Sequence, residues 1–217
     1  MECPNQEALS SSKSAQSPDL EPQAVASFFD LDWIQHLSPE DQERFNTFGR
    51  GALVDQSFQC IHHAFEYQAG MYPDNIAVED FGHKISYGEL ERQANCLAGR
   101  LRARGVAPRN RVCVLVERSV FMVIGILAVL KAGATYVLLD GNVVASKTLE
   151  HALKDSESSL ALVQRKFTHR VSIIPLICLE DTACDSPFPS THCVKPEGSA
   201  TRDDSAYIVY TSGMFHL

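Results

Sequence analysis

VCVLVERSVFMVIGILAVLKAGATYVLLD, residues Val112 to Asp140, decides the fold. Val112–Val116 is a continuous apolar run of strand length, as expected for a strand covered on both faces. Ser119–Lys131 follows at helix length and is apolar almost all round, so it should lie deep against a sheet. Gly133 stops that helix, and Tyr136–Leu139 reads as a second buried strand. Strand, helix and strand in this order form a parallel crossover unit. The apolar helix is too short to span a bilayer and carries Gly125, so it reads as core and not as a membrane segment.

The same rhythm continues outward. Ser146–Asp155 reads as a helix, Leu160–Val163 as a strand, Ile173–Leu179 as another and Ala206–Tyr210 as the last. Upstream, Ser86-Tyr87-Gly88-Glu89 is a capping box opening a helix with Leu90, Ala94, Leu97 and Leu101 on its buried stripe and Gly105 at its end. A hairpin is expected from Ile76-Ala77-Val78, a turn at Asp80-Phe81-Gly82-His83 and Lys84-Ile85-Ser86. A helix over 58–71 is expected to bury Phe58, Ile61, Phe65, Ala69 and Tyr72. Ser38-Pro39-Glu40-Asp41 starts an earlier helix, with a hydroxyl cap, proline in the first turn and two acids, that ends at Gly49 and Gly51. The fold class is therefore α/β, a mainly parallel sheet flanked by helices.

Three regions are expected along the chain. Residues 1–26, rich in Ser, Gln, Pro and Glu without periodicity, read as a disordered tail. Residues 27–56 form a lead-in helix and linker, and 57–217 the α/β domain. A length of 217 residues, 45% of them apolar and 21% charged, suits a globular protein with a sizeable core. The net charge of −8, spread along the chain, argues against a nucleic-acid partner. Seven cysteines form no CxxC pair; Cys96 and Cys113, inside apolar-periodic segments, read as free thiols acting as small hydrophobes. The start, Met1-Glu2-Cys3-Pro4-Asn5, lacks the basic and apolar parts of a secretory leader, so a reducing cytoplasmic setting is expected, with no membrane partner. Cys60, His62 and His63 are metal-ligating types, but no second cluster stands at a suitable spacing, and no metal site is expected.

Tyr207-Ile208-Val209-Tyr210-Thr211-Ser212-Gly213 is a short β-rich run followed by Thr-Ser-Gly, the way a phosphate-cradling turn begins. Thr211 and Ser212 would offer hydroxyls and Gly213 a backbone N–H to a phosphate. The continuation, Met214-Phe215-His216-Leu217, contains neither glycine nor lysine. Other polar residues read as structural: Ser86 and Glu89 as a cap, Lys131 as a partner of its own helix terminus, and Asp140 as part of a turn with Gly141-Asn142. No catalytic residue is assigned.

Three segments in this order resemble the adenylate-forming enzymes, above all the adenylation domains of fungal nonribosomal peptide synthetases and synthetase-like proteins. They are Ile85-Ser86-Tyr87-Gly88-Glu89-Leu90, then Leu130-Lys131-Ala132-Gly133-Ala134-Thr135-Tyr136-Val137-Leu138-Leu139-Asp140 with Leu138 where that family has proline, then Ala206 to Gly213. Phe65-Glu66-Tyr67-Gln68-Ala69 before Pro73-Asp74-Asn75-Ile76-Ala77-Val78 supports them, and coverage runs from about 37 to 213. The resemblance implies the incomplete N-terminal subdomain of the adenylate-forming fold. It also implies chemistry in which a carboxylate attacks the α-phosphate of ATP with Mg2+, giving an acyl-adenylate and pyrophosphate before transfer to a thiol. That chemistry works by positioning and charge neutralisation. In the family it needs a full glycine-rich loop with its lysine, a nucleoside floor and a lid bearing a second lysine, of which this chain carries only Thr211, Ser212 and Gly213. Truncation within the phosphate loop, no autonomous adenylation and no productive ATP·Mg2+ binding are therefore expected. A full-length synthetase or a carrier protein is the expected partner. The rival readings are a non-catalytic interaction module and one half of a split synthetase.

Overall fold

The computed structural model describes residues 36–49, 57–182 and 200–211. The tail assigned to 1–26 lies outside the described residues. The chain divides into two compact units, Met1–Asp55 and Gln56–Leu217, each considered by itself. In the first unit α1 spans Pro39–Phe48. Its start follows the sequence signals: Ser38 Oγ accepts from Asp41 N at 3.2 Å, with proline in the first turn.

The second unit contains α2 (Ile61–Met71), β1 (Ile76–Asp80), β2 (His83–Ser86), α3 (Tyr87–Ala103), β3 (Arg111–Val116), α4 (Val120–Lys131), β4 (Thr135–Asp140), α5 (Ser146–Asp155), β5 (Leu160–Val163), β6 (Leu176–Cys178) and β7 (Tyr207–Ile208). Strands β1 and β2 form the expected antiparallel hairpin. Its turn uses two positive φ angles, 44° at Phe81 and 86° at Gly82, which match the twist of a tight hairpin. The other five strands make one parallel sheet in the order β6-β5-β3-β4-β7.

Alternate residues of β3 explain why both faces of this sheet are covered. Val112, Val114 and Val116 join a cluster with Leu90, Leu97 and Leu101 of α3 and with Ile124, Leu127 and Ala128 of α4. Cys113 and Leu115 point the other way, into a cluster with Leu149, Ala152 and Leu153 of α5 and with Phe167. All five β3 residues are at most 1% exposed, so the strand has no polar face to alternate with. Burial pushes the free Cys113 thiol up to about 12. Gly125 lets α4 lie tightly on the sheet: a Cβ there would stand 3.2 Å from Val114 Cγ1. Leu138 packs, half-buried, against the α3–α4 cluster.

The structure corrects several expectations. Helix α2 begins at Ile61 rather than 58, and of the expected stripe Ala69 is buried and Phe65 packs against the core while Ile61 and Tyr72 turn outward. Ile61 is 60% and Tyr72 51% exposed, whereas His62 is 3% exposed. Polar residues occupy the inner face of α2 because one of them, Glu66, has a charged partner inside. That partner is Lys131, whose side chain is 1% exposed; its Nζ donates to Glu66 Oε1 at 2.6 Å and to Glu91 Oε1 at 2.9 Å. Lys131 thus joins α2, α3 and α4 rather than capping its own helix. The capping box is half formed: Glu89 N donates to Ser86 Oγ at 3.3 Å, but the Glu89 carboxylate turns to Arg92 and Gln93. Cys96 is disulfide-bonded rather than free. Strands β6 and β7 are shorter than the runs that predicted them. No helix among the described residues is long and apolar enough to cross a membrane.

Candidate functional site

Parallel sheets bind ligands beyond the carboxyl ends of their strands, where the chain order switches sides. Here β4 lies on one side of β3 and β5 on the other, so the carboxyl ends of these strands define the candidate site. Beyond β3, Glu117 N donates to Gln164 Oε1 at 2.6 Å, and Ser119 Oγ donates to the Glu117 carbonyl at 3.2 Å. Gln164, which follows β5, is 4% exposed and so ties two strand ends together from inside. The Glu117 carboxylate accepts from Lys166 Nζ and from Asn142 Nδ2. Lys166 above all, then Asn142, holds this carboxyl below the usual carboxylate range.

Beyond β4 the chain makes the turn expected of Asp140-Gly141-Asn142. Asn142 N donates to Asp140 Oδ1 at 2.8 Å, and Gly141 N donates to the Val116 carbonyl at 2.8 Å. Gly141 has no room for a side chain, since a Cβ would lie 2.4 Å from the Phe167 ring. Arg170 donates to the carbonyls of Gly141 and Val144 and closes this turn from the far side.

Beyond β7 come Val209, Tyr210 and Thr211. Strand β7 is set by Tyr136↔Tyr207 and Val137↔Ile208, by Tyr136 N donating to the Ala206 carbonyl at 3.1 Å and by Thr135 Oγ1 donating to the Ser205 carbonyl at 2.8 Å. Tyr210 Oη donates to Asp155 Oδ2 at 2.7 Å, which moors the strand's exit to α5. Burial, then the Asp155 carboxylate, pushes this phenol up to about 12. Thr211 follows, exposed, at the carboxyl side of the sheet. Ser212 and Gly213 lie outside the described residues.

Of the residues singled out in the sequence, Thr211 and Asp140 stand at this rim. Lys131 does not: it ends α4, which returns to the amino end of β4, so it sits at the opposite end of the sheet. Glu117, Gln164, Lys166 and Arg170 are rim residues that the sequence did not signal, because none belongs to a motif; Lys166 and Arg170 lie on a short 3-10 turn, Arg165–Arg170. Among the described residues the rim cations Lys166 and Arg170 are committed to protein acceptors. Thr211 offers a phosphate one exposed hydroxyl, and the exposed side chains of Arg118, after β3, and Ser146 and Lys147, at the start of α5, stand at the same rim.

Comparison with known proteins bears on this geometry. A family model described as AMP-binding enzyme matches residues 65–213, more than half of the chain. The chain belongs to the AMP-binding enzyme family. Similar proteins include adenylate-forming reductase 03009 of Coprinopsis cinerea, 52% identical over 184 residues covering 84% of this chain and 18% of the reductase. Gramicidin S synthase 2 of Brevibacillus brevis is 36% identical over 182 residues, covering 83% of this chain and 4% of the synthase. This chain thus spans less than a fifth of these relatives. Among solved structures, the nonribosomal peptide synthetase FmoA3, with α-methyl-L-serine-AMP bound, superposes with a TM-score of 0.69 at 24% identity, over 80% of this chain and 19% of that one. The N-terminal subdomain of Klebsiella oxytoca NpsA gives 0.60 at 22% identity, over 73% and 40%. These two likenesses establish the fold: this AMP-binding chain has the α/β architecture of adenylation-domain N-terminal subdomains.

Proposed function

We propose that this chain supplies part of the ATP-facing subdomain of a synthetase that activates a carboxylic or amino acid as its acyl-adenylate for thioester transfer, in secondary metabolism. The observation that carries this reading is the parallel pairing of β7 with β4. It sends Thr211, matched by the family model, to the carboxyl rim beside the Asp140 turn. FmoA3 has also been solved with AMPPNP bound, which supports ATP as the nucleotide of the family.

The 217-residue chain alone carries out no adenylation and holds ATP and Mg2+ unproductively, a reading supported by the engagement of the rim cations Lys166 and Arg170 with protein acceptors. ATP–pyrophosphate exchange with mixed carboxylic and amino acids tests this, and the expected signal is background. Robust exchange by the purified chain would overturn it. Carrier proteins, or a full-length synthetase, are the partners this role requires. The cytoplasm is the proposed setting.

A second reading is favoured by the exposure of Tyr207 and Val209, 54% and 56%, at the outer strand of the sheet. In that reading the chain docks on a synthetase, or completes one in trans, through the β7 side. Exchange activity appearing only when the chain is mixed with the rest of an adenylation domain would support the split form. A pull-down that recovers no synthetase would end the docking form.

A further inference from the structure

The first turn of α2, away from the carboxyl rim, brings together three metal-ligating side chains. Cys60 is the N-cap residue and makes no side-chain cap bond. His63 stands three residues on, at the position that faces an N-cap across the first turn, and its N–H donates to the Cys60 carbonyl at 3.1 Å. His62 enters from the buried side, 3% exposed, and its ring meets that of His63 edge-on with centroids 4.4 Å apart. One ligand atom from each of the three lies within 4.8 Å of the others.

A cavity of about 190 Å³ adjoins this turn, lined by Cys60, His62, Leu130, Thr201 and Asp204 among others. Asp204 is not a spare ligand. Its Oδ2 accepts from Thr201 N and Oγ1, both at 2.9 Å, and its Oδ1 faces Arg109 Nε at 3.4 Å. The protein therefore offers one thiol and two imidazoles, with the cavity on the remaining side. A mixed sulfur–nitrogen set of this kind suits Zn2+ better than Mg2+ or Ca2+, which take oxygen ligands.

We propose that Cys60, His62 and His63 bind a Zn2+ ion, with a water from the adjoining cavity as the fourth ligand. Ligand bonds of about 2.0–2.3 Å place tetrahedral ligand atoms roughly 3.3–3.7 Å apart, so the cluster has to draw in by about an ångström. Cys60 and His63 are only half-buried and have the freedom to do so. As the sulfur–metal bond forms, the thiol proton leaves to solvent. Burial, then the Asp204 charge, pushes that thiol above its usual range. Cys60 Sγ already lies 3.7 Å from the Ala200 carbonyl, so the ion would fasten the start of α2 beside the segment that leads into β7.

Cobalt(II) titration of the metal-stripped 217-residue chain tests the site, because a bound thiolate gives a charge-transfer band in the near ultraviolet and a tetrahedral ion gives strong visible bands. Both are expected, at one equivalent, and Zn2+ should abolish them. Cys60→Ser should remove the charge-transfer band. His63→Gln should weaken binding at least about ten-fold, the loss that even an outer partner of a metal ligand can cause. Both substitutions spare buried His62, and matching circular dichroism establishes that the variants are folded. Absence of the bands in the parent chain, or their persistence unchanged in folded Cys60→Ser, overturns the proposal.

Discussion

The two edges of β4 are built very differently. Toward β3 the ladder runs six residues, from Arg111↔Thr135 to Val116↔Asp140, and its strands lie between two layers of apolar side chains. Toward β7 it runs two, and the paired Tyr207 is half exposed. Buried contacts are concentrated on the β3 side, behind α3 and α4, and Thr211, the first residue of the proposed phosphate turn, follows the weakly paired side. Sites of ligand binding are commonly drawn from the less stable part of a fold. The contrast predicts a steep gradient of mutational cost across a single strand.

The largest cost should come from the buried ions behind the β3 side. Lys131→Ala would leave the Glu66 and Glu91 carboxylates facing each other without their shared cation, and removing one partner of a buried ion pair costs about 3–5 kcal/mol. Urea denaturation should show this as a shifted midpoint with the slope unchanged. Replacing all three residues by apolar ones of similar volume should recover most of the loss. A cost below about 1 kcal/mol for Lys131→Ala would mean that the ions add little to that side and would flatten the gradient.

An intermediate cost is expected where the strong side reaches the rim. Gly141→Ala sets a Cβ against the Phe167 ring, and Phe167 is 6% exposed among Leu149, Leu153 and Val171. Overpacking of this kind costs about 1–3 kcal/mol, and the companion change Phe167→Leu should relieve part of it. Additive costs in the double variant would show that the turn yields elsewhere, and that the rim is softer than the packing implies.

The same contrast governs what could be read from sequence. Residues of β3, α4 and β5 were legible because deep burial leaves long apolar runs, β4 because its TYVLLD run follows a helix-ending glycine, and α5 because Leu149, Ala152 and Leu153 mark one buried face. The inner face of α2 was only partly legible, through Phe65 and Ala69, since it also carries His62 and Glu66, polar residues, of which Glu66 has its partner far along the chain. Lys131 beside a helix-ending glycine looked like a terminus residue; only the fold brings Glu66, 65 positions away, to its ammonium. At the rim, Asp140 and Asn142 were legible as a local turn. Glu117, Gln164 and Lys166 were not, because their network joins loops some 47 residues apart and leaves no spacing to detect. Strand β7 was overestimated: an apolar run of five residues announces capacity for pairing, and the neighbouring strand determines how much of it pairs.

The smallest effect, and the sharpest test of the contrast, is at Tyr207. Its ring stacks on Tyr136 with centroids 5.7 Å apart at 28°, a cross-strand pair of the kind worth about 0.2–1 kcal/mol. Tyr207→Thr replaces the ring by a small β-branched side chain that also suits a strand, so the global midpoint should move by less than about 1 kcal/mol. Hydrogen exchange should respond more strongly than the midpoint, and only locally. The amides of Tyr207 and Ile208 should exchange through opening of the β7 edge, while those of Val112 to Val116 exchange only with global unfolding. If the substitution instead accelerated exchange throughout β3 and β4, the sheet would open as one unit. Thr211 would then follow a fully cooperative strand, and the difference between the two edges of β4 would be one of length alone.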